Sequence, residues 1–348
     1  MSENTRLTPV WIVYVDGRRL DGDHEGALQS IVINDKLNGI STFTLLFDNA
    51  DAKIRDLGVI SLESEISIHL GYKDDIEEVF SGEITGFRLI LPEQGIEKLE
   101  VTGCNILHRL NHAAHVRSFE EKAPSEIIKG IIDGYSLQAE IENFGVSQDF
   151  RFENAKTDLG YIYYITKAYG INFFAAGKKI YVKREITVRS DEVIFEWGKS
   201  LISFEAEQNV SRLLSECNYI GWDIHKNESY IGRAVLDDLP VKVGGDKNWK
   251  AISKGGNAMY IAAGSSCEKD AEGAKQLALG ELQANSFLFS HAKGSAEGTY
   301  RLRPGMRVTI KMTGETFDGE YIADNVCHRF DIETGYKTEF ELKRNMCP

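Results

Sequence analysis

Apolar and polar residues alternate with period two over much of the chain, and that alternation restricts it to half-buried strands more than any other feature does. Phe43, Leu45 and Phe47 alternate with Thr42, Thr44 and Leu46. Ile66, Ile68, Leu70 and Tyr72 alternate with Ser67, His69 and Gly71, and Leu99 and Val101 flank Glu100. Asp16-Gly17 stands between WIVYV and RRL, and both residue types accept the positive φ of a two-residue hairpin turn. Residues 1–108 therefore read as a small antiparallel barrel or sandwich. The longest apolar run, Val10 to Val15, is far short of the roughly 20 residues a membrane helix needs. The first residues show no basic stretch leading into an apolar one, so no signal peptide is expected.

The pattern then changes. Pro124 suits the first turn of a helix, and Ile127, Ile128, Ile131 and Ile132 form one apolar stripe behind it. Thr157 is a candidate N-cap, with Asp158 in the first turn. Tyr161, Ile162, Ile165, Ala168 and Tyr169 give the periodic face, and Gly170 is a C′ stop. INFFAAGKKIYV follows as two strands turning at Ala176-Gly177. Residues 109–196 thus form an α+β middle segment. Strands return with LISFEAE, LLSECNYIGW, MRVTIKM, YIADNVCHRF and KTEFELKR. One helix, about 268–289, interrupts them, with Ala274, Leu277, Ala278, Leu282 and Asn285 on one face. Gly280 inside it costs about 1 kcal/mol against Ala. The segment around 223–265 is rich in Gly, Asn and Asp and has no clear pattern.

Two distant segments share a signature. An alternating strand through Ile66, Ile68 and Leu70 leads to Phe80-Ser81-Gly82-Glu83-Ile84 and then to Leu99 and Val101. Another through Met306, Val308, Ile310 and Met312 leads to Phe317-Asp318-Gly319-Glu320-Tyr321 and then to Phe340 and Leu342. A duplicated barrel would produce this. The second would comprise residues 197–222 and 295–348, with 223–294 inserted.

Motifs for chemistry fail on spacing. Gly198-Lys199-Ser200 lacks the upstream glycine of a phosphate loop, since Val193 stands there. Asp21, Asp23, Glu25 and Gly26 begin like a calcium loop, but the twelfth position is Val32. His108, His112 and His115 would share one helical face at metal-ligand spacing, yet no carboxylate partner is evident, and no metal or other cofactor is expected. The five cysteines are far apart and form no CxxC pair, which fits a reducing compartment. Lys and Arg number 40 against 53 Asp and Glu, for a net charge of −13. That balance disfavours duplex nucleic acid and anionic membrane as partners. A structural or interaction protein, and no enzyme, is the reading that remains.

The last fifty residues are the most distinctive. Leu302-Arg303-Pro304-Gly305-Met306, the Phe317–Tyr321 string, Val326-Cys327-His328-Arg329-Phe330 and Gly335–Leu342 with Arg344 resemble the late control protein D family, the tail hub of contractile-tailed phages. They are equally similar to the hub region of VgrG proteins from type VI secretion. Gly71-Tyr72 with Val79–Ile84, Ala168–Phe174 and Gly198–Ile202 fall in the same order as that family's earlier segments.

The resemblance implies a mainly β fold with α+β insertions, in which two tube-like antiparallel barrels per chain form a quasi-sixfold ring as a homotrimer. It implies a baseplate hub linking a sixfold tail tube to a threefold spike, with wedge proteins as further partners. Such a protein would reside in the producing cell's cytoplasm and then in the assembled particle. The chain stops at Pro348, so the spike would be a separate chain. The loop with Asp74, Asp75, Glu77 and Glu78 is a candidate contact with tube or wedge. Gly82, Gly305 and Gly319 are expected at turns. Phe80, Phe317 and Tyr321 are expected in barrel cores, and His328 as a structural strand residue. The acidic balance raises the prospect of an acidic ring lumen. The alternatives are a cell-wall glycan hydrolase using a carboxylate pair, and a β-rich module that binds glycan or a receptor.

Overall fold

The computed structural model describes residues 8–20, 22–49, 60–188, 192–223, 226–253, 259–263 and 270–348. Asp21 and Cys267 lie outside them. The first part holds β1 (Pro9–Val15), β2 (Arg18–Arg19), the short helix α1 (Gly22–Ala27), β3 (Leu28–Lys36), β4 (Thr42–Asp48), β5 (Glu65–Tyr72), β6 (Asp75–Ile90) and β7 (Lys98–Cys104). Alternation becomes burial here: Phe43, Leu45 and Phe47 enter the core while Thr42, Thr44 and Leu46 stay half-buried. The Asp16-Gly17 turn forms as expected, with φ of 47° and 75°, and sets Val15 opposite Arg18.

The middle part holds β8 (Ala114–Lys122), α2 (Pro124–Asp133), β9 (Gln138–Ile141), β10 (Gln148–Thr157), α3 (Asp158–Ala168), β11 (Asn172–Ala176) and β12 (Lys179–Lys183). Ile127, Ile128, Ile131 and Ile132 of α2 share a core with Tyr161, Ile162 and Ile165 of α3. The Thr157 hydroxyl caps α3 by accepting from the Gly160 amide at 3.1 Å, and Gly170 leaves the helix at φ 63°.

The rest comprises β13 (Val193–Glu196), β14 (Leu201–Gln208), β15 (Glu216–Asp223), β16 (Glu228–Val235), β17 (Lys247–Asn248), β18 (Met259–Ala263), α4 (Ala271–Ser286), β19 (Ser290–Glu297), β20 (Arg307–Lys311), β21 (Gly319–Asp331), β22 (Gly335–Arg344) and β23 (Met346–Cys347).

One strand order occurs twice. The first unit runs β3-β4-β7-β6-β5-β1, and the second runs β14-β19-β22-β21-β20-β13. Pairing registers agree residue by residue. Thr44 lies between Val32 and Thr102, and Lys293 lies between Glu205 and Glu341. Thr42 opposite Cys104 corresponds to His291 opposite Lys343. Bulges coincide too: the first strand is irregular between Leu28 and Ser30 and again between Leu201 and Ser203, and the central strand between Ile84 and Gly86 and again between Ala323 and Asn325. One difference remains, since β1 is antiparallel to β5 whereas β13 is parallel to β20.

The two units join through an antiparallel pairing of β3 with β21, from Ser30 opposite Asp331 to Lys36 opposite Asn325. The sheet is therefore continuous from β14 to β2. Phe330, Tyr336 and Tyr300 of the second unit enter the core of the first.

Three expectations are corrected. The 216–222 segment, expected in the second barrel, instead pairs as β15 with β16 and β18, and α4 covers that sheet. The reason is close packing at glycine: a Cβ on Gly232 of β16 would stand 2.1 Å from the Ala274 backbone of α4. The whole of β19, from Ser290, joins the second unit, which was expected to resume only at 295. Finally, aligning the two central-strand bulges places Gly82 on Tyr321 and not on Gly319. The two F-x-G-E strings are out of step with the structural repeat they suggested.

Gly280 leaves α4 unbroken, and it has a packing reason. A Cβ there would lie 2.3 Å from the Ala168 carbonyl oxygen, where α3 ends against α4.

Candidate assembly surfaces

The strands β6-β7-β4-β3-β21-β22-β19-β14 turn one polar face outward. Each strand contributes every second residue, so polar rows run across both units. Lys293 pairs with Glu205 at 3.0 Å, Arg329 with Glu339 at 2.9 Å and Arg88 with Glu100 at 3.0 Å. Ser203 and Ser295 hydroxyls meet at 2.7 Å, and Asn325 donates to Glu341. A groove of about 750 Å³ lies on this face, lined by Asn34, Lys36, Glu205, Lys293, Asn325, Glu339 and Glu341 among others. Glu205, Glu339 and Glu341 share the groove with Lys36 and Lys293, so acids and bases are mixed on this surface.

Behind the face, at the seam between units, lies a buried polar cluster. Asp35 accepts from Arg303 Nε at 2.9 Å, and both side chains are nearly sealed from solvent. Burial raises the Asp35 carboxyl above its ordinary range, and the Arg303 charge opposes that only in part. His328 Nδ1 lies 2.9 Å from the Tyr336 hydroxyl, and the ring is fully buried. Burial pushes the imidazole down to about 3, and the neighbouring Arg303 charge adds to the effect. His328 is thus a neutral strand residue, opposite Ile33 and Thr338. Asp35 sits at a core position of β3, in step with Ile31 and Ile33, and a charge at such a position needs a buried partner. That was the signal in the sequence; the identity of Arg303 as partner was not.

The Asp74–Glu78 segment is less of a loop than expected. Only Lys73 and Asp74 form the turn, because Asp75, Glu77 and Glu78 already pair in β6 with Tyr72, Leu70 and His69. Asp75 is exposed too, but it is held within the chain: it accepts from the Tyr300 hydroxyl and from Arg301 Nη2 at 3.2 Å, latching the first unit to the second. Asp74, Glu77 and Glu78 are exposed.

His108, His112 and His115 do not share a helical face. The helical turn here is a 3-10 segment, Ile106–Asn111, which contains only His108, and His115 lies in β8. His108 Nε2 meets Glu83 Oε2 at 2.7 Å. Arg109 also holds Glu83. Burial alone would raise that carboxyl, but hydrogen bonds from Arg109 and His108 keep it below its ordinary range. His112 sits edge-on to His108 with ring centroids 5.4 Å apart, and His115 Nε2 is 3.6 Å from Asp158 Oδ2. Among the described residues no group of three or more His, Cys, Asp or Glu side chains converges on a metal position. Burial raises the thiols of Cys217 and Cys327 to about 12 and about 11, so neither is a ready nucleophile.

Phe80 is buried and packs on Phe43 at 5.2 Å, and Tyr321 is fully buried under the Arg344 guanidinium, 4.6 Å above its ring. Phe317 is corrected: it is half-buried in the turn before β21, where its carbonyl accepts from the Tyr321 hydroxyl at 2.8 Å. Gly305 sits in a turn at φ 85°, as expected; Gly319 is corrected, since at φ 120° it is already the first residue of β21, opposite Ile310. Gly82 is corrected as well. It sits within β6, where a Cβ would fall 2.2 Å from the Cys104 carbonyl oxygen, so close strand approach excludes a side chain.

The chain is similar to several tail proteins of known structure. The 43 kDa tail protein of prophage MuSo2 from Shewanella oneidensis superposes with a TM-score of 0.69 at 12% identity, covering 97% of this chain and 99% of that one. A tail protein from Neisseria meningitidis MC58 gives 0.66 at 12% identity, with 97% of each chain covered. An Escherichia coli component of the type VI secretion system, itself described as structurally similar to the bacteriophage T4 tail proteins gp27 and gp5, gives 0.63 at 11% identity over 95% of this chain and 76% of that one. The fold is thus mainly β with large antiparallel sheets, like that of these tail proteins. No helix among the described residues is long and apolar enough to cross a membrane. No curated protein sequence matches the chain. Residues 6–331 match the family described as the Alg8 N-terminal domain, and the chain belongs to that family.

Proposed function

We propose that this member of the Alg8 N-terminal domain family is the baseplate hub of a contractile injection machine, acting as a homotrimer between a sixfold inner tube and a threefold spike. The observation that carries this reading is the repeat. Two units with one strand order and one register, taken three times, give six similar units in a ring. Such a ring matches a sixfold tube on one side while keeping true threefold symmetry for a spike on the other. We assign the units to residues 9–104 and to 193–208 with 290–344, the α+β middle to the segment between them, and 209–289 to an insertion. The polar sheet face is the inner wall in this reading. Its paired charges make that wall close to neutral, in place of the acidic lining that the net charge had suggested. The exposed tip at Asp74, with Glu78 beside it, makes the tube or wedge contacts in this reading. The role is assembly and force transmission, without bond-making.

Light scattering on the purified chain, alone and co-expressed with a spike protein, tests this. The expected mass is three times 39.0 kDa. A monomer under both conditions at high concentration rejects the reading.

A further inference from the structure

The repeat also specifies how one copy meets the next. Within the chain, the first strand of unit one (β3) pairs with the central strand of unit two (β21). The equivalent elements in the opposite units are β14 and β6, and both keep an edge open. Among the described residues β14 pairs only with β19, apart from one bridge between Leu201 and Trp197. Beyond Ile84, β6 pairs only with β7 among the described residues. Open edges of this kind are templates for another strand.

We infer that β14 of one copy pairs antiparallel with residues 86–92 of the next, in the register that joins β3 to β21. This deepens the trimer reading and rests on it. The bulges align Ile31 with Phe204 and Ile33 with Ala206 on the first strand, and Arg88, Leu89 and Leu91 with Cys327, His328 and Phe330 on the central one. In the chain, Cys327 faces Asn34, His328 faces Ile33 and Phe330 faces Ile31. Between copies, the same register sets Arg88 opposite Glu207, Leu89 opposite Ala206 and Leu91 opposite Phe204.

The side chains suit that arrangement. Leu89 and Leu91 are 47% and 58% exposed, whereas their counterparts His328 and Phe330 are buried by the other unit. Ala206 and Phe204 border an open groove of about 360 Å³ together with Trp197, Met312 and Phe317. In the chain, Phe330 meets Trp11 edge-on with centroids 6.5 Å apart. Between copies, Leu91 meets the groove beside Trp197. Arg88 is exposed and so is Glu207, so the facing charges are opposite on the polar side. The contact uses two different patches of one chain, so it is head-to-tail and not a twofold dimer; with the threefold rotation of the trimer reading it closes into a ring.

Two sets of variants in the full chain test this. Leu89→Cys with Ala206→Cys is expected to form covalent dimers and closed trimers on oxidation, because directly opposed antiparallel residues come within disulfide range. Leu89→Cys with Gln208→Cys, two residues out of register, is expected to cross-link poorly. Arg88→Glu alone is expected to weaken association by about tenfold or more, and adding Glu207→Arg is expected to restore it. A protein that still has trimer mass but cross-links equally in both pairs, or is not rescued by the charge swap, overturns this pairing and leaves the trimer standing. A chain that stays monomeric with a spike protein present overturns both.

Discussion

His328 offers the clearest test of the seam. Replacing it by Asn keeps a polar group near Tyr336 and removes the titration. In the folded chain the imidazole is fully buried, and burial followed by the Arg303 charge pushes it down to about 3. In the unfolded chain it titrates near 6.5 (roughly the value for an unperturbed histidine). Below that pH the unfolded state takes up a proton that the folded state refuses. Stability must therefore fall as pH drops from about 6.5 toward about 3. Between pH 7 and pH 5 the loss assigned to this one group is about 2 kcal/mol. Asp35, whose carboxyl is raised by burial, works in the opposite sense, and Glu83, whose carboxyl is lowered, works in the same sense. Both are common to wild type and variant, so the difference between the two proteins isolates the histidine. Urea unfolding at matched protein concentration, at both pH values, is the assay. Wild type is expected to lose about 2 kcal/mol more than His328→Asn over that interval. Equal losses would show that the ring is solvated or charged in the folded state, and the account of a dry seam would be wrong.

Gly280→Ala is expected to destabilise by roughly 1–3 kcal/mol in thermal or chemical unfolding, although helix propensity alone favours Ala, because the new Cβ meets the Ala168 carbonyl. Phe330→Ala removes a ring that the second unit inserts into the first, and a loss of about 3–5 kcal/mol is expected by the same measurement. Asp75→Ala is expected to cost under about 1 kcal/mol, since the latch to Arg301 is half-exposed; its effect should instead appear as faster amide exchange around Tyr300. Thr157→Ala should cost about 1 kcal/mol through the lost cap of α3.

Local features were legible because local physics decides them. Asp16-Gly17, the Pro124 start, the Thr157 cap and the Gly170 stop depend on neighbouring backbone and are all where the residue types place them. Alternation identified β4, β5 and β22 for the same reason. The candidate surface was legible only in parts. Tyr321 was read as core and His328 as a strand residue, as the structure has them, but Phe317 was expected in a core and Gly82 and Gly319 at turns, since a phenylalanine or glycine has the same identity in a turn as in a strand. The three histidines looked helical by spacing, yet the chain leaves the 3-10 turn after Asn111 and enters a strand.

What the sequence determined by itself was a chain of half-buried strands with three capped or striped helices, and a hint of duplication. Which strand pairs with which is a non-local choice, made by whole faces that must bury together, and only the tertiary structure decided it. It moved β15 out of the second unit and joined Asp35 to Arg303 across the seam. It also showed that the repeat lies in pairing register and bulge position, because sheets select for hydrogen-bond geometry and core volume far more than for matching letters.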